Sequence, residues 1–356
     1  MDMKKLIFSA AVLLIALASC QKNNAPEVSS SAIPMTLTAT IGGEDTKVSY
    51  VDEDNVLKTE WSQYDKVSVL SLDISGNVLT NDIFTATEAG NTAVFDGTFS
   101  NHPSTVSVWV YYPALTEGEG TEEKPWQVPA ANSYDDFGVI SDVKTNHDYS
   151  STMDVTSFTQ LQKESNKFSN LENYMLMSGQ ADLGKLAESE LDVRLYHRSY
   201  VVKMDITLPK EGLKLHSLRV WAYSSDGSYG IPLGGSSWAN ISEPESYPGG
   251  WDTDWFICFG DDVQYGRGTG IQLDGDSFTA YVVSLGGKSW NYHVQETRQY
   301  RLSEGDYLTF KAEVSEDEEL YDCILARKDI TKTTILENGM MYRLSATLES
   351  APDPED

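Results

Sequence analysis

In segment after segment from residue 35 onward the apolar residues of this chain return at every second position, and no segment after the first 20 residues holds a helical apolar period beyond two turns. Met35-Thr36-Leu37-Thr38-Ala39-Thr40-Ile41 alternates apolar side chains with threonine and then meets the turn Gly42-Gly43. Lys66–Leu72 alternates over most of its length, residues 200–208 do so strictly after Val202, and residues 341–348 repeat the pattern. A period of two puts alternate side chains on opposite faces of an extended chain, which is the mark of a half-buried strand. Shorter runs at 47–51, 57–61, 83–86, 93–99 and 105–112 are punctuated by Gly90, Gly97 and Pro113. Such short strands at turn-limited spacing predict an antiparallel β-sandwich. The chain is expected to be all-β.

Its 356 residues suit two domains of ordinary size better than one core. Residues 113–169 lose the alternation, turn polar and glycine-containing, and read as a long loop wrapped on the first sandwich. A strand resumes at 174–179, and 182–190 reads as a connector. The boundary is therefore expected there, giving one β-sandwich over 33–185, a second over 186–350, and an acidic tail at 351–356. Within the second, 227–254 forms a Gly-, Ser-, Pro- and Trp-rich insertion.

The first residues have a different character. Lys4 and Lys5 precede an apolar run over 6–17, which is too short to span a bilayer comfortably and has the anatomy of a secretory signal. It ends in Leu17-Ala18-Ser19-Cys20, which resembles the lipobox of bacterial lipoproteins. That resemblance implies a lipoprotein signal peptide over 1–19, a lipid (palmitate-type acyl) anchor on Cys20 and an outer-membrane address. The polar stretch 20–32 would then be a tether. With 26 Lys and Arg against 54 Asp and Glu, the chain carries a formal net charge of −28. Such a surface is repelled by nucleic acid, which is excluded as a partner.

Catalytic chemistry is thinly represented. His102, His147, His197, His216 and His293 are scattered, and no nucleophile elbow, zinc-protease or P-loop pattern occurs. No enzyme activity, cofactor or metal site is expected. Gly266-Arg267-Gly268-Thr269-Gly270 reads as a flexible hairpin loop. Asp73, Asp226-Gly227 and Asp274-Gly275-Asp276 read as turn chemistry rather than calcium loops. Cys258 and Cys323 both lie in strand-like apolar segments, where a disulfide and two buried free thiols are equally open.

Several segments taken in order resemble the fimbrillin family, the lipoprotein precursors of type V pili in Gram-negative bacteria. They are Thr46-Lys47-Val48-Ser49-Tyr50, Leu57-Lys58-Thr59-Glu60-Trp61, Phe84-Thr85-Ala86, Tyr111-Tyr112-Pro113-Ala114, Leu195-Tyr196-His197-Arg198 and Gly339-Met340-Met341-Tyr342. After Trp61, Gln63-Tyr64-Asp65 stands where a Gly-Asp is commoner. The resemblance implies two tandem transthyretin-like sandwiches, export as a lipoprotein, proteolytic removal of the first strand, and acceptance of a strand from another pilus subunit. Met35, Leu37, Ala39 and Ile41 then mark the candidate removable strand, and its retention as an ordinary first strand is equally open. Processing in the family is arginine-specific, yet the first arginine here is Arg194, so Lys47 is the candidate processing site. Few residues follow Leu348, and they are acidic with two prolines, which suits donation poorly. A tip, accessory or anchor subunit is expected over the main stalk.

The insertion and its surroundings add Trp238, Tyr247, Trp251 and Trp290 as candidate ligand-contact aromatics, since flat rings stack on sugar faces. The competing expectation is an outer-membrane glycan-binding surface lipoprotein with a host or bacterial glycan or protein as its ligand. A glycosidase is third, because the chain is rich in carboxylates.

Overall fold

A computed structural model describes residues 31–41, 60–115, 126–127, 152–154, 160–165, 175–228, 230–233, 238–240, 254–264, 267–286, 288–291 and 296–351. The main strands are β1 (Ser31–Ile41), β2 (Lys66–Leu72), β3 (Val78–Ala86), β4 (Thr92–Asn101), β5 (Ser107–Tyr112), β6 (Gln160–Gln162), β7 (Met177–Asp182) and β8 (Glu190–His197). The second half adds β9 (Ser199–Thr207), β10 (Lys214–Tyr223), β11 (Asp254–Phe259), β12 (Ser277–Leu285), β13 (Tyr307–Glu316), β14 (Glu319–Asp329), β15 (Met341–Thr347) and β16 (Glu349–Ser350). The all-β expectation holds.

The first seven-stranded sheet is closed, in the order β1-β8-β7-β5-β2-β3-β4. An antiparallel sandwich is what the alternation predicts. Two features differ. β1 joins both ends of the sheet, and it runs parallel to β8, from Thr36↔Glu190 to Ile41↔Leu195, while antiparallel to β4. Alternation tells which face a residue takes and says nothing about its neighbour strand, so the closure was not readable. The expected boundary after residue 185 also falls inside this sheet. Glu190–His197, assigned above to the second domain, pairs with β1 and β7 of the first. The connector ahead of it is a short 3-10 helix, Leu183–Glu188, whose Gly184 amide donates to Asp182 Oδ1 at 2.8 Å.

The second half holds a larger sheet in the order β16-β14-β13-β10-β11-β6 and a three-stranded sheet in the order β12-β9-β15. The faces of the two sheets meet in one core around Tyr200, Val220, Trp255 and Phe310. Residues 113–169, expected as loop on the first unit, contribute β6 to this second half, parallel to β11. β6 acts through its side chains as well. The Tyr281 amide donates to Gln162 Oε1 at 3.0 Å, Gln162 Nε2 donates to Thr279 O at 2.8 Å, and the Val283 amide donates to Gln160 Oε1 at 2.8 Å. Two glutamines thus satisfy backbone groups along the edge of β12 and tie the two sheets together. An unpaired buried amide would be costly there.

Cys258 and Cys323 are free and buried. They sit on β11 and β14, with β10 and β13 between them in the same sheet. Three strand spacings of about 4.8 Å put them far beyond disulfide reach. Burial pushes the Cys258 thiol up to about 12 and the Cys323 thiol up to about 11, so neither is a ready nucleophile. Glycines 268 and 270 answer to packing rather than flexibility: a Cβ at Gly268 would lie 1.9 Å from Phe259 O, and Gly270 (φ +90°) passes against His216.

Candidate functional site: the first strand and its lane

β1 shows the alternation in full. Met35, Leu37, Ala39 and Ile41 are buried in the first core, and Thr36, Thr38 and Thr40 between them are half-exposed. Each buried residue has a level in the sheet. Leu37 lies between Phe95 of β4 and Leu191 of β8, Ala39 between Ala93 and Val193, and Ile41 beside Leu195. Met35 faces Gly97, where a Cβ would collide with the Phe84 ring at 2.5 Å. The missing side chain gives Phe84 its place. Taking β1 away would leave β4 and β8 as two unpaired edges with an apolar trough between them.

Trp61 closes over this lane. Its indole N–H donates to Ala39 O at 3.1 Å, and its ring meets Phe95 and Tyr112 edge-on, at 5.0 and 5.2 Å between centroids. The ring is only 2% exposed. Its own backbone is bridged to Gly90, with Trp61 N to Gly90 O at 2.8 Å and Gly90 N to Trp61 O at 3.0 Å. The turn that follows is held by Asp65, whose carboxylate accepts from the Ser62 amide at 2.7 Å. Burial raises the pKa of that carboxyl above its ordinary value. Tyr64 in this turn has φ +76° and is 71% exposed. A glycine adopts that left-handed backbone without strain, and here a tyrosine holds it.

The other sequence candidates are distributed elsewhere. Cys20, Lys47, Tyr247 and Trp251 lie outside the described residues. Trp238 and Trp290 fall on short strands, Trp238–Asn240 and Lys288–Asn291, in two different small sheets. Trp255 is 2% exposed in the second core, and its indole N–H donates to the Tyr200 hydroxyl at 3.0 Å. It is a core residue. The Asp73 carboxylate accepts from the amides of Ser75 and Asn77 at 2.8 and 2.9 Å, and Asp226 accepts from the Ser228 amide at 2.8 Å. Hydrogen bonds from Ser224 and Ser228 hold the Asp226 carboxyl down to about 2. Both acids build turns.

Sequence reasoning missed a groove of about 610 Å³ at the three-stranded sheet. Thr279, Asp205 and Ser345 form one cross-strand row, and Ser277, Thr207 and Thr347 the next, with Arg327 and Lys328 at its side. These positions alternate with the buried Ile206, Phe278 and Ala346, which puts the hydroxyls on the opposite face. Only the register between β9, β12 and β15 assembles the rows, so no local signal could have found them.

No family model matches the chain, and no curated protein matches it. Solved structures do. A provisionally assigned cell adhesion protein from Bacteroides ovatus is similar over 90% of this chain and 97% of its own, at 12% identity and a TM-score of 0.41. A fimbrial protein from Bacteroides ovatus is similar over 90% of this chain and 50% of its own, at 14% identity and a TM-score of 0.32. A fimbrial assembly protein from Parabacteroides distasonis is similar over 88% of this chain and 91% of its own, at 11% identity and a TM-score of 0.28.

Proposed function

We propose that this chain is a fimbrillin-like surface protein, a structural or adhesive component of a pilus, that joins another subunit by exchanging β1 for a strand of that subunit. The role is structural rather than catalytic. The observation that carries the reading is the position of β1. It is the strand that closes the first sheet, it lies at the start of the described fold, and four of its apolar side chains, Met35, Leu37, Ala39 and Ile41, are buried between β4 and β8. A replacement strand would satisfy the two exposed edges and refill the same apolar levels, the general mode of strand addition. In this reading the two halves are variants of the transthyretin-like sandwich. Cys20 carries the lipid during export to the outer membrane, and a cut near Lys47 releases β1.

β15 supports a place at the tip, as an accessory or as an anchor. It pairs with β9 from Val201↔Met341 to Thr207↔Thr347, and Ala346 and Leu348 are buried in the second core. Donating it would open that core.

A covalent lock tests the reading. Thr40 Oγ1 and Thr92 Oγ1 are 3.0 Å apart across β1 and β4, so the pair Thr40→Cys and Thr92→Cys is placed to form a disulfide. In cells that supply the donating subunits, the unlocked, processed protein is expected to run in SDS-resistant complexes with them without heating. The oxidised double variant is expected to stay monomeric and to recover those complexes on reduction. Full complex formation by the oxidised variant would contradict strand exchange at β1.

A further inference from the structure

A strand that replaces β1 must fit the lane that β1 leaves, and the lane selects among strands. We propose that Trp61 is its specificity-determining residue. It admits a segment of the pattern large–x–large–x–small–x–large, with the small residue at the Ala39 level, and thereby sets the register of any polypeptide strand that replaces β1. This rests on the strand-exchange reading and adds to it the sequence class of the partner.

Three observations carry it. The buried side chains of β1 read Met35, Leu37, Ala39, Ile41, so the lane has three wide levels and one narrow one. The narrow level is where the indole N–H reaches Ala39 O, and the residue facing it on β4 is also alanine, Ala93. The ring is held by parts of the fold that stay behind when β1 leaves: the Gly90 bridge, Phe95 of β4 and Tyr112 of β5. Every residue except at its side chain presents the same carbonyl, so the hydrogen bond alone selects nothing. Size selects. A strand shifted by two residues would bring Leu37 or Ile41 to the level where the indole meets the strand, between Ala93 and Val193, and overfill a packed site. A shift by one would turn the threonines inward and the apolar residues outward.

The test uses the full chain with a protease site in place of residues 43–47, cleaved, and labelled peptides of the 31–41 sequence. The wild-type protein is expected to capture the unaltered peptide about tenfold better than the Ala39→Leu peptide, and a Trp61→Leu protein to lose most of that preference. Equal capture of both peptides by the wild-type protein would overturn the role of Trp61 and leave strand exchange standing. Absence of any capture would overturn strand exchange, and the uncleaved chain then decides the role of Trp61. There, Ala39→Leu is expected to lower the denaturation midpoint more in the wild-type background than in the Trp61→Leu background. Equal lowering in both overturns it.

Discussion

Leu37→Ala lowers the unfolding free energy by about 2–5 kcal/mol, while Thr38→Ala, one residue along the same strand, changes it by no more than about 0.5 kcal/mol. Leu37 is fully buried at the level of Phe95 and Leu191, two large side chains fixed on neighbouring strands. Removing it leaves a cavity that this closed sheet cannot collapse, because both flanking strands are tied into the ring. Thr38 points the other way and is half-exposed. Denaturant titration of the two variants measures the contrast. Similar losses at both positions would mean that β1 does not alternate between core and solvent. The same contrast bears on function, since a lane that gains stability from apolar levels has a use for a strand carrying them.

The second large effect is a dependence on acid. β8 ends at His197 and β9 begins at Ser199, so His197 lies at the junction of the two units. It pairs with Met177 across the sheet, Gly339 packs against it, and it is buried. Burial disfavours the imidazolium and pushes its pKa down to about 4 from an ordinary 6.5. The sign follows from which state binds the proton first. Above pH 6.5 the ring is neutral in both states and has no effect. Between 6.5 and 4 the unfolded chain takes up a proton that the folded chain refuses, so stability falls as pH falls. The loss attributable to this group reaches about 3 kcal/mol near pH 4. A His197→Gln chain lacks it. Carboxylates titrate alike in both proteins, so the wild type should lose about that much more stability than the variant between pH 7 and pH 4. Parallel pH profiles would show that His197 is open to solvent.

Much of β1 was legible because its chemistry is local. Seven residues alternating apolar and threonine fix which side chains go inward, and the structure buries the four that the alternation selects. The partners of those residues were not legible. Leu191 and Val193 read as the opening of a second domain because a strand pattern carries no address, and the parallel pairing with β1 spans some 150 residues of sequence. Gln160 and Gln162 sit in a stretch whose polarity reads as loop. Their value comes from the exposed edge of β12, more than 110 residues away, which only the tertiary fold supplies. Trp61 was visible as a large aromatic before a turn, but its contact with Ala39 O depends on how the turn folds back across the sheet. The cysteines show the same limit. Both lie in buried strands as read, and sheet order alone separates them by three positions.

The central claim is that β1 leaves when the protein assembles, and the N-terminus of the assembled material tests it most directly. Mass spectrometry or N-terminal sequencing of SDS-resistant polymers should find chains that begin after residue 41, within 42–59, with Lys47 as the expected cut. Polymers whose chains still begin at a lipidated Cys20 and retain Met35, Leu37, Ala39 and Ile41 would contradict it.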